Sequence, residues 1–199
     1  MSYGSKTTED GAAIKADGAS PILTGEQVPG NKIASLELAK GPGGEEIKTR
    51  ALLTFQQSNG AKFTHTFWDS DQDWGIDQVN REMLHICSKI VTQDEYYDII
   101  AEHASEKTFV SWIKAVSEHI ITKAEGMVFT LKVIYKENKS SGKWYPNFPK
   151  FPNFIELDGT SPSTLSTNPK YDVYTQPTPE SMGGGASNDS NDKVAAVSF

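Results

Sequence analysis

The sequence predicts a mainly β fold with a helical insertion, of the α+β class, and three observations carry that expectation. Between Asn31 and Trp68, short runs of alternating apolar and polar residues are separated by Gly-rich or Asn-Gly turns. From Ile76 to about residue 121 the apolar spacing changes to three and four. After Gly126 the alternation returns. At 199 residues the chain is long enough for one sizeable core with tails.

Residues 1–20 are polar and rich in Gly, Ala and Ser, the composition of a flexible arm, so the domain is expected over 21–157. The runs "KIASLELAK", "IKTRALLTFQQ" and "AKFTHTFW" then read as three antiparallel strands. "GPGGEE" makes the first turn, and Asn59-Gly60 makes the second, with type I′ geometry expected because both residues tolerate positive φ. In the insertion, about 76–121, residues Ile76, Val79, Met83, Ile86, Cys87 and Ile90 form one helical stripe. Thr92 and Glu95 have capping-box spacing for a second helix from Gln93. Phe109, Trp112, Ile113, Val116 and Ile120 mark a third. Met127, Phe129, Leu131, Val133 and Tyr135 alternate with Thr130, Lys132 and Lys136 in a fourth strand, and "GKWYPNFPKFPNFIEL" continues as a last extended segment to about Leu157. Pro146, Pro149 and Pro152 confine that segment to an edge or a loop, because proline cannot donate to a ladder. Five strands with helices after the third match an OB-fold-like, five-stranded, partly open barrel. Residues 158–199 are rich in Ser, Thr, Pro, Gly and Asn, the composition of a disordered tail, and finish on the apolar "VAAVSF".

Catalytic and metal motifs are sparse. His65, His85, His103 and His119 stand in no zinc-binding spacing. "DSDQDWG" begins like a calcium loop, but Trp74 stands where the loop needs Gly and Asn80 where it needs a bidentate Glu, so its acids are expected to favour a helix N-terminus instead. Cys87 is the only cysteine, which excludes an internal disulfide and a Cys-based zinc cluster, and its place on the helical stripe makes it core. No cofactor and no enzymatic activity are expected. The N-terminus shows no signal-peptide pattern and no apolar run is long enough for a transmembrane helix, so a cytoplasmic setting without membrane partners is expected.

The net charge of -7 is unevenly spread. Residues 66–108 carry ten acids against Arg81, Lys89 and Lys107, whereas 123–151 carry six lysines against Glu125 and Glu137. That basic stretch also holds the aromatics, and single-stranded nucleic acid offers phosphates to cations and base faces to rings. The candidate nucleic-acid-binding residues are therefore Arg50, Lys62, Phe63, Phe67 and Trp68 on the 50–68 hairpin, Lys132 and Lys136 on the fourth strand, and Lys143, Trp144, Tyr145, Phe148, Lys150, Phe151 and Phe154 after it. Strict alternation sets Trp144 against Tyr145, one inward and one outward.

The order of short strands, helical insert, "GMVFTLKVIYKENKSSGKWYPNFPKFPNFIEL" and a low-complexity tail ending in Phe resembles the bacteriophage single-stranded DNA-binding proteins. The resemblance implies an OB-fold that binds single-stranded DNA without sequence specificity during replication and recombination in the cytoplasm of an infected bacterium. It also implies a tail that recruits replication or recombination proteins, here with Asp189, Asp192 and Phe199 at its tip. The competing reading is a structural or protein-interaction adaptor, such as a virion component, in which the lysines and prolines merely protect an exposed strand edge.

Overall fold

β1 (Gly25–Lys40) is sixteen residues long because it serves two partners in turn. Its first part pairs with β4 (Phe129–Asn138) and its second with β2 (Glu46–Gln57), and Asn31 is the pivot, facing Gln57 on one side and Phe129 on the other. The strand turns there through Gly30, at φ +77°. The buried Asn31 carboxamide donates to the carbonyls of Val28 at 2.6 Å and Phe129 at 3.3 Å, holding the bend together. A strand start at Lys32 is all that alternation could give, since "GEQVPGN" has no apolar period. The coordinates are a computed structural model, which describes residues 24–104, 106–139, 141–149, 153–166, 168 and 170–175. The expected arm at 1–20, together with Lys150, Phe151, Asp189, Asp192 and Phe199, lies outside the described residues.

β2 continues through a tight turn into β3 (Lys62–Trp68). The turn differs from expectation: Gln57 N donates to Ala61 O and Gly60 N to Gln57 O, both at 2.9 Å, and Gly60 alone of the Asn-Gly pair has positive φ. This is a three-residue loop closed by a left-handed Gly rather than a type I′ turn. Asn59 contributes its side chain, which accepts from Ala61 N at 2.9 Å.

Three helices follow. α1 (Asp73–Cys87) buries Met83, Ile86 and Cys87. Its entry is tight, because a Cβ on buried Gly75 would lie 2.2 Å from Ser70 Oγ. α2 (Gln93–His103) opens as expected on Thr92, whose hydroxyl accepts from Glu95 N at 3.2 Å. The Glu95 carboxylate bonds Lys123 instead of completing the capping box. α3 (Phe109–His119) has a full capping box between Thr108 and Ser111 and buries Ile113, Ala115 and Val116.

The last extended segment splits in two. β5 (Lys143–Asn147) pairs with the far end of β4, and β6 (Ile155–Leu157) pairs with its near end. Pro146 stays in β5, opposite Tyr135, whereas Pro149 lies beyond the ladder. The result is a mixed α/β protein whose six-stranded antiparallel sheet runs β3-β2-β1-β4-β5 with β6 also on β4. The sheet is not closed, since no ladder among the described residues joins β3 to β5.

β4 departs from simple alternation, being buried at every residue from Phe129 to Ile134. Its second face is covered by the segment after β6. Lys132 is 1% exposed and bonds Asp172 and the Ser166 carbonyl. Thr130 donates to Asp158, Tyr135 N donates to Val173 O at 2.7 Å, and Glu156 accepts from Ser163 Oγ and from Thr164 N and Oγ1. Thus the part of 158–175 that is described, though without helix or strand, is bonded into the sheet, and the tail expected from Asp158 does not leave the domain there. Buried polar groups on β4 and β6 demand partners, and this segment supplies them.

Candidate nucleic-acid interface

The outer face of β1, β2 and β3 is built by register. Odd residues 51 to 55 of β2 and 63 to 67 of β3 are buried, which leaves the even ones facing out. Pairing then sets Lys32 beside Gln56 and Lys62, Ser35 beside Thr54 and Thr64, Glu37 beside Leu52 and Thr66, and Arg50 beside Trp68. Cross-strand partners share a face, so these residues form one surface of three cations, one acid, hydroxyls and a single aromatic ring. Trp68 is 57% exposed. The Arg50 guanidinium lies 5.4 Å from its ring centroid, an arrangement worth about 0.5–1 kcal/mol at an exposed site. Arg50 therefore orients the ring, its own Nε being buried without a hydrogen-bond partner.

Several expected contacts are elsewhere. Phe63, Phe67 and Phe148 are at most 3% exposed, so they are core rather than stacking platforms. Phe148 packs edge-on against Phe63 at 4.8 Å and Phe55 at 5.8 Å, and stacks on buried Phe154 at 4.3 Å. The aromatic richness of 144–154 thus serves in part to seal the approach of β5 to β3. Lys132 is likewise withdrawn from the surface by Asp172. Lys123 pairs with Glu95, and the charge of Lys136 acts on Glu82, so with Lys132 three lysines of the basic stretch are answered by acids. Trp144 and Tyr145 divide much as alternation requires: Tyr145 is 37% exposed opposite Lys136, and Trp144 is half-buried beside Tyr171 and Val173. Lys143 is exposed at the start of β5.

Composition gave no warning of the polar network between β3, β5 and α1. His65, buried, lies 3.1 Å through Nδ1 from Asn147 Oδ1 and 3.3 Å through Nε2 from Glu82 Oε2. Asn147 Oδ1 already accepts from Phe148 N at 2.8 Å, so the His65 bond needs a proton on Nδ1. Burial alone would raise the Glu82 carboxyl, but His65, Gln78 and Lys136 outweigh it and hold it below its ordinary value. Lys32, Thr54, Thr64 and Thr66 were also missed; only strand register reveals that they share a face with Trp68.

Burial pushes the Cys87 thiol up to about 12, which leaves it protonated and inert at neutral pH. Among the described residues no three His, Cys, Asp or Glu side chains are grouped to hold a metal ion. Nor is any helix among them long and apolar enough to cross a membrane.

No protein family, curated protein or solved structure matches the chain.

Proposed function

We propose that the protein is a non-catalytic binder of single-stranded DNA, largely indifferent to sequence, acting in phage DNA replication or recombination. The observation that carries this reading is the exposed Trp68 ring, braced by Arg50, on an open sheet face with Lys32 and Lys62. The ring supplies a stacking platform and the cations supply phosphate contacts, the two handles that a single strand requires. The strand order supports an OB-type reading as well. β1 is shared between two halves of the sheet, and β5 returns toward β3 through His65 and Asn147. In such barrels the face of the second and third strands and the loops after the first and fourth take oligonucleotides. Here those loops are 41–45 and 139–142, with Lys143 and Tyr145 just beyond the second.

Trp68→Ala tests the reading directly. Binding of oligo-dT should weaken by about 1–3 kcal/mol while the thermal melt stays unchanged, because the ring is exposed. Affinity should also fall steeply between low and moderate salt. No binding at low salt, or full binding by Trp68→Ala, would sink the proposed face.

A further inference from the structure

A second surface lies around the corner from the sheet face, and it has the opposite charge. α1, α2 and the start of α3 enclose an open groove of about 560 Å³ lined by Trp68, Ile76, Val79, Ile100, Phe109 and Trp112. Its floor is preformed, since Trp112 Nε1 donates to Tyr96 OH at 3.0 Å and Phe109 packs against the Trp112 ring. Ile76 is 43% exposed and Trp68 57%, so two large apolar side chains stand open on the groove's lining, which marks an interaction site rather than scattered exposure.

Charge says what kind of partner fits. Asp69 lines the groove, and exposed Asp73 and Asp77 flank Ile76 on α1. The cation on the rim is Lys107. Most of the groove's lining comes from the 66–108 segment, which carries ten acids and three bases. Such a rim repels a phosphate backbone and attracts lysine and arginine.

We propose that this groove docks a basic, amphipathic segment of a partner protein, large apolar side chains entering between α1 and α2 while its Lys and Arg residues meet the acidic rim. The mode is that of a helix laid in an apolar groove. It is separate from the nucleic-acid reading, since a strand on the sheet face and a peptide in the groove meet only at Trp68. One molecule could thus hold DNA on its basic face and a DNA-processing partner on its acidic one.

The test uses the full chain and a fluorescein-labelled helical peptide of about sixteen residues, with a Leu stripe at three- and four-residue spacing and Lys elsewhere. Two control peptides replace all Lys by Glu or all Leu by Ser. Anisotropy should show the Lys/Leu peptide binding at least about tenfold more tightly than either control. Ile76→Lys, and independently Ala101→Trp, which fills the groove from α2, should each weaken it about tenfold. Glu125→Lys, with the same side chain introduced away from the groove, should change it less than about twofold. Trp68 is left intact, so failure here leaves oligo-dT binding untouched. No binding of the Lys/Leu peptide, or equal losses in Ile76→Lys and Glu125→Lys, would overturn the proposal. So would binding that appears only when residues 194–199 are removed, for then the chain's own apolar end is the occupant.

Discussion

Replacing Lys132 by Met should destabilise the protein by about 3–5 kcal/mol and leave its DNA affinity and salt dependence unchanged. The magnitude follows from burial. The side chains of Lys132 and Asp172 are 2% and 3% exposed, and the ammonium also bonds the Ser166 carbonyl. Two unit charges near contact, at an effective dielectric of about 20, attract by about 4 kcal/mol. Removing the cation forfeits that attraction and strands the Asp172 carboxylate, left with Asn168 N–H and the Tyr174 hydroxyl at 3.3 Å. Urea unfolding followed by tryptophan fluorescence measures the loss. The double variant Lys132→Met with Asp172→Asn should recover much of it, because no unpaired charge then remains buried. A loss below about 1 kcal/mol would refute the reasoning, since that is the range of a solvated surface pair. A drop of about one in the salt slope of oligo-dT binding would refute it too, by placing Lys132 on phosphate.

Other outcomes follow from the same geometry. Phe63→Ala should cost about 3–5 kcal/mol in urea unfolding by opening the cluster with Phe55 and Phe148, a loss that a stacking residue on the surface would not show. Thr108→Ala should cost about 1 kcal/mol, because it removes the hydroxyl that accepts from Ser111 N and leaves only the backbone half of the capping box. His85 supplies a pH test. Burial, with Lys89 nearby, pushes its imidazole down to about 4, and its Nε2 accepts from Asn153 N at 3.1 Å, so it is neutral in the fold. The unfolded chain takes that proton near pH 6.5; the contribution is therefore complete above that pH and is lost as pH falls toward 4. Between pH 7 and 5 the native protein should lose up to about 2 kcal/mol more than His85→Leu, with less if the ring stays partly hydrated.

Much of the fold was legible because its signals are local. The stripe from Ile76 to Cys87, the cap at Thr92 and the pattern from Phe109 to Ile120 each need only residues within a few turns, and the structure has a helix at each. The alternation at 50–68 likewise marked two strands and their turn. What lay beyond reach depended on neighbours far along the chain. Phe63 and Phe67 read as candidate stacking rings because their face of β3 becomes interior only when Phe148 and Phe154 arrive from more than eighty residues away. The same limit hid the fate of 158–175. Its composition is that of a tail, and it is held by the polar groups of Thr130, Lys132 and Glu156 rather than by apolar residues of its own.

The candidate site divides along the same line. By itself the sequence determined that the chain would place aromatic rings and lysines together on strand-forming segments, and that its acids would concentrate in the helical region, since composition and period are properties of short segments. Only the tertiary structure decided which rings survive at the surface and which lysines are answered. Burial and ion pairing depend on distance in space, and Asp172 lies forty residues from Lys132 in the chain yet within bonding reach of it. Trp68 kept its exposure because β3 ends there and Arg50 sits directly across from it.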